Sequence, residues 1–242
     1  MAVKKIVYKN HDFEINYEII NPQISENNIV FLHGWGSNKE VMKSGFASKL
    51  NNFKHIYIDM PGFGKSPNEV VLTTYDYSEI MKLFFASLEI DYHQITIVGH
   101  SFGGKVATYL SPKNLILLST AGIVEEKSTK VKTKIKLAKL ANALGVSFFS
   151  KLFRSKDVNT MSEVMYGTFK NVVDEDFRNQ FASYNGNALI FWGINDTATS
   201  LKSGEKIHQL IKNSQFFPLD GDHYFFLKNS DTIEQILKDN IK

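Results

Sequence analysis

A chain of 242 residues, 43% hydrophobic and 13% aromatic, is long enough to bury one substantial core and short enough to be a single α/β body with an insertion. It contains no cysteine, which excludes disulfides, thiolate catalysis and cysteine-ligated zinc or iron–sulfur sites. A net charge of +3 unaccompanied by any recognised binding motif excludes nucleic acid as an expected partner.

The N-terminal stretch carries charged or polar residues every few positions, with no apolar segment ending in small residues, so no signal peptide is visible. Apolar runs such as 115–118 fall well short of the roughly 20 residues of a membrane span. A soluble, cytoplasmic protein is expected.

Residues 4–8 and 12–20 read as two β-strands, the second alternating Phe13, Ile15, Tyr17 and Ile19 with polar neighbours. Asn10-His11 between them suits a tight hairpin turn and so an antiparallel edge. After Asn21-Pro22 come short apolar runs at 29–32, 55–58, 95–98, 115–118 and 189–192. Each is too short for a helix and lacks polar alternation, as do strands buried on both faces of a parallel sheet. Helical spacing fills residues 39–50, 75–88, 102–110, 201–211 and 232–237. This alternation predicts an α/β, doubly wound, mostly parallel sheet.

The rhythm fails between Gly122 and Asn187. Residues 122–187 are therefore expected to form a small helical cap over the carboxyl edge of a core made of 1–121 and 188–242. The interval offers a helical stretch at 132–141, an aromatic cluster around Phe148, Phe149 and Phe153, and a further helical piece at 174–184. No internal repeat or low-complexity segment interrupts the chain.

Chemistry enters at Gly99-His100-Ser101-Phe102-Gly103-Gly104, directly after one apolar strand and before a helix. A strand turning sharply into a helix strains the serine backbone, and the flanking glycines let strand and helix approach closely. The hydroxyl is then presented outward, with the Phe102 N–H and the positive end of the helix dipole beside it. His33-Gly34-Trp35-Gly36, at the end of another buried strand, can supply a second oxyanion donor from the Trp35 N–H. The Trp35 indole would wall the substrate pocket, and His33 would fix the loop by hydrogen bonding.

A serine hydroxyl needs a base, and the base needs a carboxylate to hold its tautomer. Asp196, ending Gly193-Ile194-Asn195-Asp196, and His223, ending Gly221-Asp222-His223, supply these in the chain order Ser101, Asp196, His223. Asp196 also suits a turn or helix cap. Asp220, Asp222 and Glu125 are competing acids, the first two very close to His223 in sequence. His11, His55, His93, His100 and His208 read as structural or exposed.

Residues 29–122 and 188–238 resemble the α/β-hydrolase family. The likeness is carried in order by His33-Gly34-Trp35-Gly36, Asp59-Met60-Pro61-Gly62-Phe63-Gly64-Lys65-Ser66, Gly99-His100-Ser101-Phe102-Gly103-Gly104, Gly193-Ile194-Asn195-Asp196 and Gly221-Asp222-His223. It is nearest to small capped carboxylesterases of the kind acting on pimeloyl-carrier-protein methyl ester, and to meta-cleavage product hydrolases, which split carbon–carbon bonds. The resemblance implies an eight-stranded sheet and a reaction without metal or organic cofactor. Ser101 separates the chain from haloalkane dehalogenases and epoxide hydrolases, which place an aspartate there. Tyr224-Phe225-Phe226 follows His223, where many carbon–carbon hydrolases have a tryptophan.

Residues 127–156 hold nine Lys or Arg and no Asp or Glu. This run is either a solvated face or a docking surface for an acidic partner: a carrier protein, its phosphopantetheine arm, or a small carboxylate. Val131, Ile135 and Ala138 form one narrow apolar strip and Leu137, Leu140, Ala141 and Leu144 another, so no clean membrane-binding face results. The pocket is expected among Trp35, Phe149, Met165 and Tyr224, with Phe148, Phe153, Met161 and Tyr166 also available for acyl or cap–core packing. The expected activity is carboxylic ester hydrolysis of a small-molecule acyl substrate. The alternatives are carbon–carbon cleavage of a dienoate and a non-catalytic ligand-binding scaffold on the same fold.

Overall fold

The computed structural model describes residues 2–24, 27–124 and 161–241. The basic run, Glu125, the two apolar strips, and Phe148, Phe149 and Phe153 lie outside the described residues.

The chain opens with β1 (Ala2–Tyr8) and β2 (His11–Ile20), paired antiparallel from Ala2 against Tyr17 to Tyr8 against His11. The turn between them is Lys9-Asn10 rather than Asn10-His11. Both residues have positive φ, 49° and 63°, as a two-residue hairpin turn of matching twist requires. Strands β3 (Asn28–Leu32), β4 (Lys54–Ile58), β5 (Thr96–His100), β6 (Asn114–Leu118), β7 (Asn187–Gly193) and β8 (Ser214–Leu219) are mutually parallel, and β2 joins them antiparallel to β4. The order is β1-β2-β4-β3-β5-β6-β7-β8, an eight-stranded, mostly parallel sheet.

Helices α1 (Lys39–Phe46), α2 (Thr74–Ser87), α3 (Phe102–Leu110), α4 (Glu163–Val172), α5 (Arg178–Ser183), α6 (Leu201–Leu210) and α7 (Ser230–Asn240) complete the described elements, with a short 3-10 turn at Phe225–Leu227. Along β3, Val30 and Leu32 enter the core with α2 and α3, while Ile29 and Phe31 enter the opposite one with α1 and α7. This two-residue alternation between two apolar cores is why the strand reads as continuously hydrophobic. Strand β8 was not evident in the sequence: it is only partly buried along its length and contains Pro218, a residue confined to sheet edges.

Between β6 and β7 the chain leaves the sheet. Helix α4 rests on residues 71–72, where Leu72 N–H donates to Thr168 Oγ1 (3.0 Å) and Leu72 O accepts from Asn171 Nδ2 (3.2 Å). The expected helix at 174–184 is shorter, Arg178–Ser183, because Asp176 Oδ1 takes the Arg178 N–H and Phe177 N–H turns back to Gly122 O. Helix α4 itself lies where the sequence pointed only to Met161, Met165 and Tyr166.

Strand order places the active edge. From β3 the chain crosses to β4 on one side, and from the adjacent β5 it crosses to β6 on the other, so the loops after β3 and β5 diverge and open a crevice at their carboxyl ends. One of these loops is pinned by a buried ion pair. Asp59 accepts from Lys39 Nζ (2.7 Å), Lys39 N–H (2.8 Å) and Lys65 N–H (3.0 Å), and both Lys39 and Asp59 are almost wholly buried. Asp59→Ala leaves the buried Lys39 ammonium with only the exposed Glu40 carboxylate, 3.8 Å away, and is expected to cost about 3–5 kcal/mol in urea unfolding at neutral pH. A loss below about 1 kcal/mol would mean that Lys39 finds another partner.

Candidate active site

Ser101 occupies the turn from β5 into α3 with φ 50° and ψ −113°, a conformation that non-glycine residues rarely adopt. Three glycines make the turn sterically possible. A Cβ on Gly99 would lie 2.5 Å from Gly104 Cα, one on Gly103 2.4 Å from Leu32 O, and one on Gly104 2.2 Å from Thr120 Oγ1. The turn is held by Ser101 N–H to Leu118 O (3.0 Å) and Ala121 N–H to Ser101 O (3.2 Å). Phe102 opens α3, so its N–H has no acceptor within the helix.

The loop after β3 packs against this turn, as the pairing of Leu32 with Gly99 requires. A Cβ on Gly34 would come within 3.2 Å of Ser101 Cβ and 2.9 Å of His100 Nδ1. The Trp35 N–H donates to no backbone carbonyl among the described residues. His33 is fully buried; its Nε2 accepts from Met60 N–H (3.1 Å), so its Nδ1–H donates to Gly34 O (2.8 Å). Burial holds its pKa down to about 4, which keeps Nε2 an acceptor. His33 thus ties the loop after β3 to the loop after β4, with both ring nitrogens engaged in those bonds.

Asp196 and His223 arrive from β7 and β8. Ile194 N–H bonds Leu219 O, and Asn195 N–H bonds Gly221 O, both 2.9 Å, so the two loops travel together beyond the sheet. His223 Nδ1 lies 2.8 Å from Asp196 Oδ2. Asp196 also accepts from Ala198 N–H (2.8 Å), Thr199 N–H (3.0 Å) and Thr199 Oγ1 (2.9 Å), so it is a turn residue and a histidine partner at once. Burial pushes its pKa up, but donation from His223 and the Thr199 N–H outweighs this and holds it well below the usual carboxylate range. An ionised Asp196 requires Nδ1 of His223 to carry the proton, leaving the Nε2 lone pair free. No hydrogen bond joins Ser101 Oγ to His223 among the described residues; bonds of this kind commonly tighten only with substrate in place.

The competing acids are occupied elsewhere. Asp222 Oδ1 accepts from Tyr224 N–H (2.9 Å), and Asp220 Oδ1 from Asn195 Nδ2 (3.3 Å). Tyr224 packs its ring against those of His100 (5.1 Å) and His223 (5.6 Å). His55 is buried and structural, bonding Tyr57 Oη and Leu50 O. His100 has a larger role than its sequence position between Gly99 and Ser101 first suggested: it is buried against His223, with Nε2 3.0 Å from His223 O.

A cavity of about 590 Å³ is lined by Trp35, Gly36, Gly62, Phe63, Met161, Ser162 and Met165, and not by Ser101, Asp196 or His223 themselves. Trp35 connects it to the turn, since its ring packs on both Phe63 (4.9 Å) and Phe102 (5.6 Å). Of the four residues named as pocket candidates, Trp35 and Met165 line this cavity, Tyr224 stands beside His223, and Phe149 lies outside the described residues. Among the described residues no helix is long and apolar enough to cross a membrane.

A family model described as the alpha/beta hydrolase fold matches residues 27–126. A pimeloyl-[acyl-carrier protein] methyl ester esterase of Wigglesworthia glossinidia brevipalpis is 30% identical over 106 residues, covering 41% of this chain but only 39% of that protein. The AB hydrolase superfamily protein YisY of Bacillus subtilis is 26% identical, covering 86% of this chain and 89% of its own. Among solved structures, an esterase from Exiguobacterium antarcticum superposes with a TM-score of 0.74 at 20% identity, covering 97% of each chain.

Three buried histidines, His33, His55 and His100, are held by burial below the ordinary imidazole pKa and make stability depend on pH. Unfolded histidine takes up a proton near 6.5, whereas burial holds His33 to about 4 and His100 to about 3. The unfolded chain binds more protons between these values, so stability is full above about 6.5 and falls as pH drops toward 4. The urea midpoint should decline across that window, and less steeply in His100→Gln. An equal slope in the variant would mean that His100 is not held neutral.

Proposed function

We propose that this chain, which has the α/β-hydrolase fold, is a serine hydrolase that cleaves a carboxylic ester through an acyl-enzyme. The observation that carries this reading is the Asp196–His223 pair, which leaves Nε2 of His223 free beside the strained turn at Ser101. In the proposed reaction Ser101 Oγ attacks the ester carbonyl carbon while His223 Nε2 takes its proton. The N–H groups of Trp35 and Phe102 receive the oxyanion. Collapse breaks the bond to the alcohol, which leaves with the proton from His223. Water, deprotonated by the same nitrogen, then attacks the acyl carbonyl and releases the acid and Ser101.

The cavity of about 590 Å³ falls within the range of small-molecule sites and has aromatic and thioether walls, which suits a medium-length acyl chain. In this reading Met161, Ser162 and Met165, from the interval between β6 and β7, form the side of the cavity that covers the acyl chain. The likeness to proteins named as carrier-protein methyl ester esterases favours ester over carbon–carbon cleavage and makes a carrier-linked acyl group a natural substrate to try.

A fluorophosphonate probe should add once to the wild-type protein and not to Ser101→Ala, read by intact mass. Asp196→Asn should lower kcat on p-nitrophenyl esters about 10⁴-fold through the wrong tautomer of His223. Folded wild-type protein that takes no label would overturn the serine hydrolase reading and favour a binding scaffold. For the pocket, Met165→Trp should lower kcat/KM for p-nitrophenyl octanoate at least ~10-fold more than for the acetate. Equal losses on both would place the acyl chain elsewhere.

A further inference from the structure

His100 touches three of the four loops that the proposed reaction draws on, those after β3, β5 and β8. It is the residue before Ser101, its Nδ1 lies against Gly34 in the loop after β3, and its Nε2 is 3.0 Å from the carbonyl oxygen of His223. Its ring also packs against those of His223 (4.7 Å), Tyr224 (5.1 Å) and Phe226 (5.0 Å). The two nitrogens are unequal. A carbonyl only accepts, so Nε2 carries the proton and donates; Nδ1 is then a lone pair, and it is buried without any partner. An unpaired buried acceptor is unfavourable, and an apolar side chain would avoid it. An imidazole in this place is explained if the donation to His223 is what matters.

We propose that His100 is a positioning residue, whose Nε2–H grips the backbone of His223 and sets the catalytic imidazole in register with Ser101 and with the Trp35 loop. This rests on the serine hydrolase reading for its chemical consequence, though not for the contact itself. The loop bearing His223 follows β8, three strands away from β5 in the sheet, and must lean back across β6 and β7 to reach the serine. Its described bonds to neighbours run to the loop after β7, through Asn195 and Asp196, and to His100. Only the His100 bond ties it to the strand that carries Ser101. Burial keeps the ring uncharged, so it does not repel the imidazolium that forms on His223 as Ser101 gives up its proton.

The test compares His100→Leu, His100→Phe and His100→Gln. Leucine and phenylalanine lose the donor, phenylalanine keeping a ring, while the glutamine amide can still donate to the His223 carbonyl. In the first two, kcat on a p-nitrophenyl ester should fall about 10–100-fold with KM within about twofold, as expected when a supporting contact loosens a catalytic group. Glutamine should restore most of it. The downfield proton resonance of His223 Nδ1–H, bonded to Asp196, should broaden or shift in the leucine and phenylalanine variants and persist in the glutamine variant. If leucine prevents folding, phenylalanine carries the comparison. Wild-type kcat and an unmoved resonance in the donorless variants would overturn the proposal, as would a glutamine variant impaired as much as leucine. Absence of fluorophosphonate labelling in the wild type would defeat the hydrolase reading separately, since the resonance reports the grip without turnover.

Discussion

The pairing of β3 with β5 is the constraint on which the site depends. Leu32 stands opposite Gly99, so the loop that begins at His33 and the turn at Ser101 must emerge side by side. Side-by-side emergence is sterically possible only without side chains at the contact, because a Cβ on Gly103 would strike the carbonyls of Leu32 and His33. The glycines and the strained serine are therefore one feature. The sheet brings two backbones together, glycine lets them touch, and Ser101 takes up the remaining distortion with φ 50°. Residues in such conformations persist where the surroundings over-determine them, and here β6 holds the turn through Leu118 O.

Around that contact, charge is settled in three ways. Asp196 is ionised because four donors converge on it. His33 and His100 are neutral because burial denies them a proton near neutral pH. Lys39 and Asp59 are paired with each other, and further backbone donors complete the carboxylate. In each case a polar group fixes a loop at the carboxyl edge by a bond of definite direction, which apolar packing alone would not supply. A site assembled this way meets a developing charge without reorganising, the condition under which fixed donors are most effective.

Much of this was legible because it rests on short-range rules. Buried parallel strands have an unmistakable apolar run, and the strand–glycine–serine–glycine–helix pattern states its own geometry. The sequence favoured Asp196 over its competitors Asp220 and Asp222 as the partner of His223, and in the fold the pairing of Asn195 with Gly221 brings Asp196 to the imidazole. Strand β8 was hidden because an edge strand half in solvent lacks a hydrophobic run. Helix α4 was hidden because its stabilising contacts, Thr168 and Asn171 against Leu72, lie nearly a hundred residues away in sequence. The role of His100 was invisible for the same reason: its partner is 123 residues distant.

Helix α4 and the turn at Ser101 are joined through helix α3. Lys105, one turn beyond Ser101, is buried with Nζ donating to Val172 O (2.5 Å) and to Glu175 Oε2 (2.9 Å), which also accepts from Thr74 Oγ1 (2.5 Å). Val172 ends α4, so the lysine closes the carboxyl end of the helix whose first turn carries Met165 into the cavity. The ammonium also lies near the faces of Phe102 (5.7 Å) and Phe177 (5.6 Å). Core helix and α4 are therefore held at one end by charge, while the other end meets the core through Met165 against Gly62 and Asn68. Side chains at that second end can change size without disturbing Asp196, His223 or the turn at Ser101, because none of them contributes a bond to those residues. In the proposed reaction, substrate selection can thus be altered at Met161, Met165 and Phe63 while Asp196, His223 and the turn at Ser101 stay fixed, and the shared element is Trp35, which lines the cavity and packs its ring on Phe102.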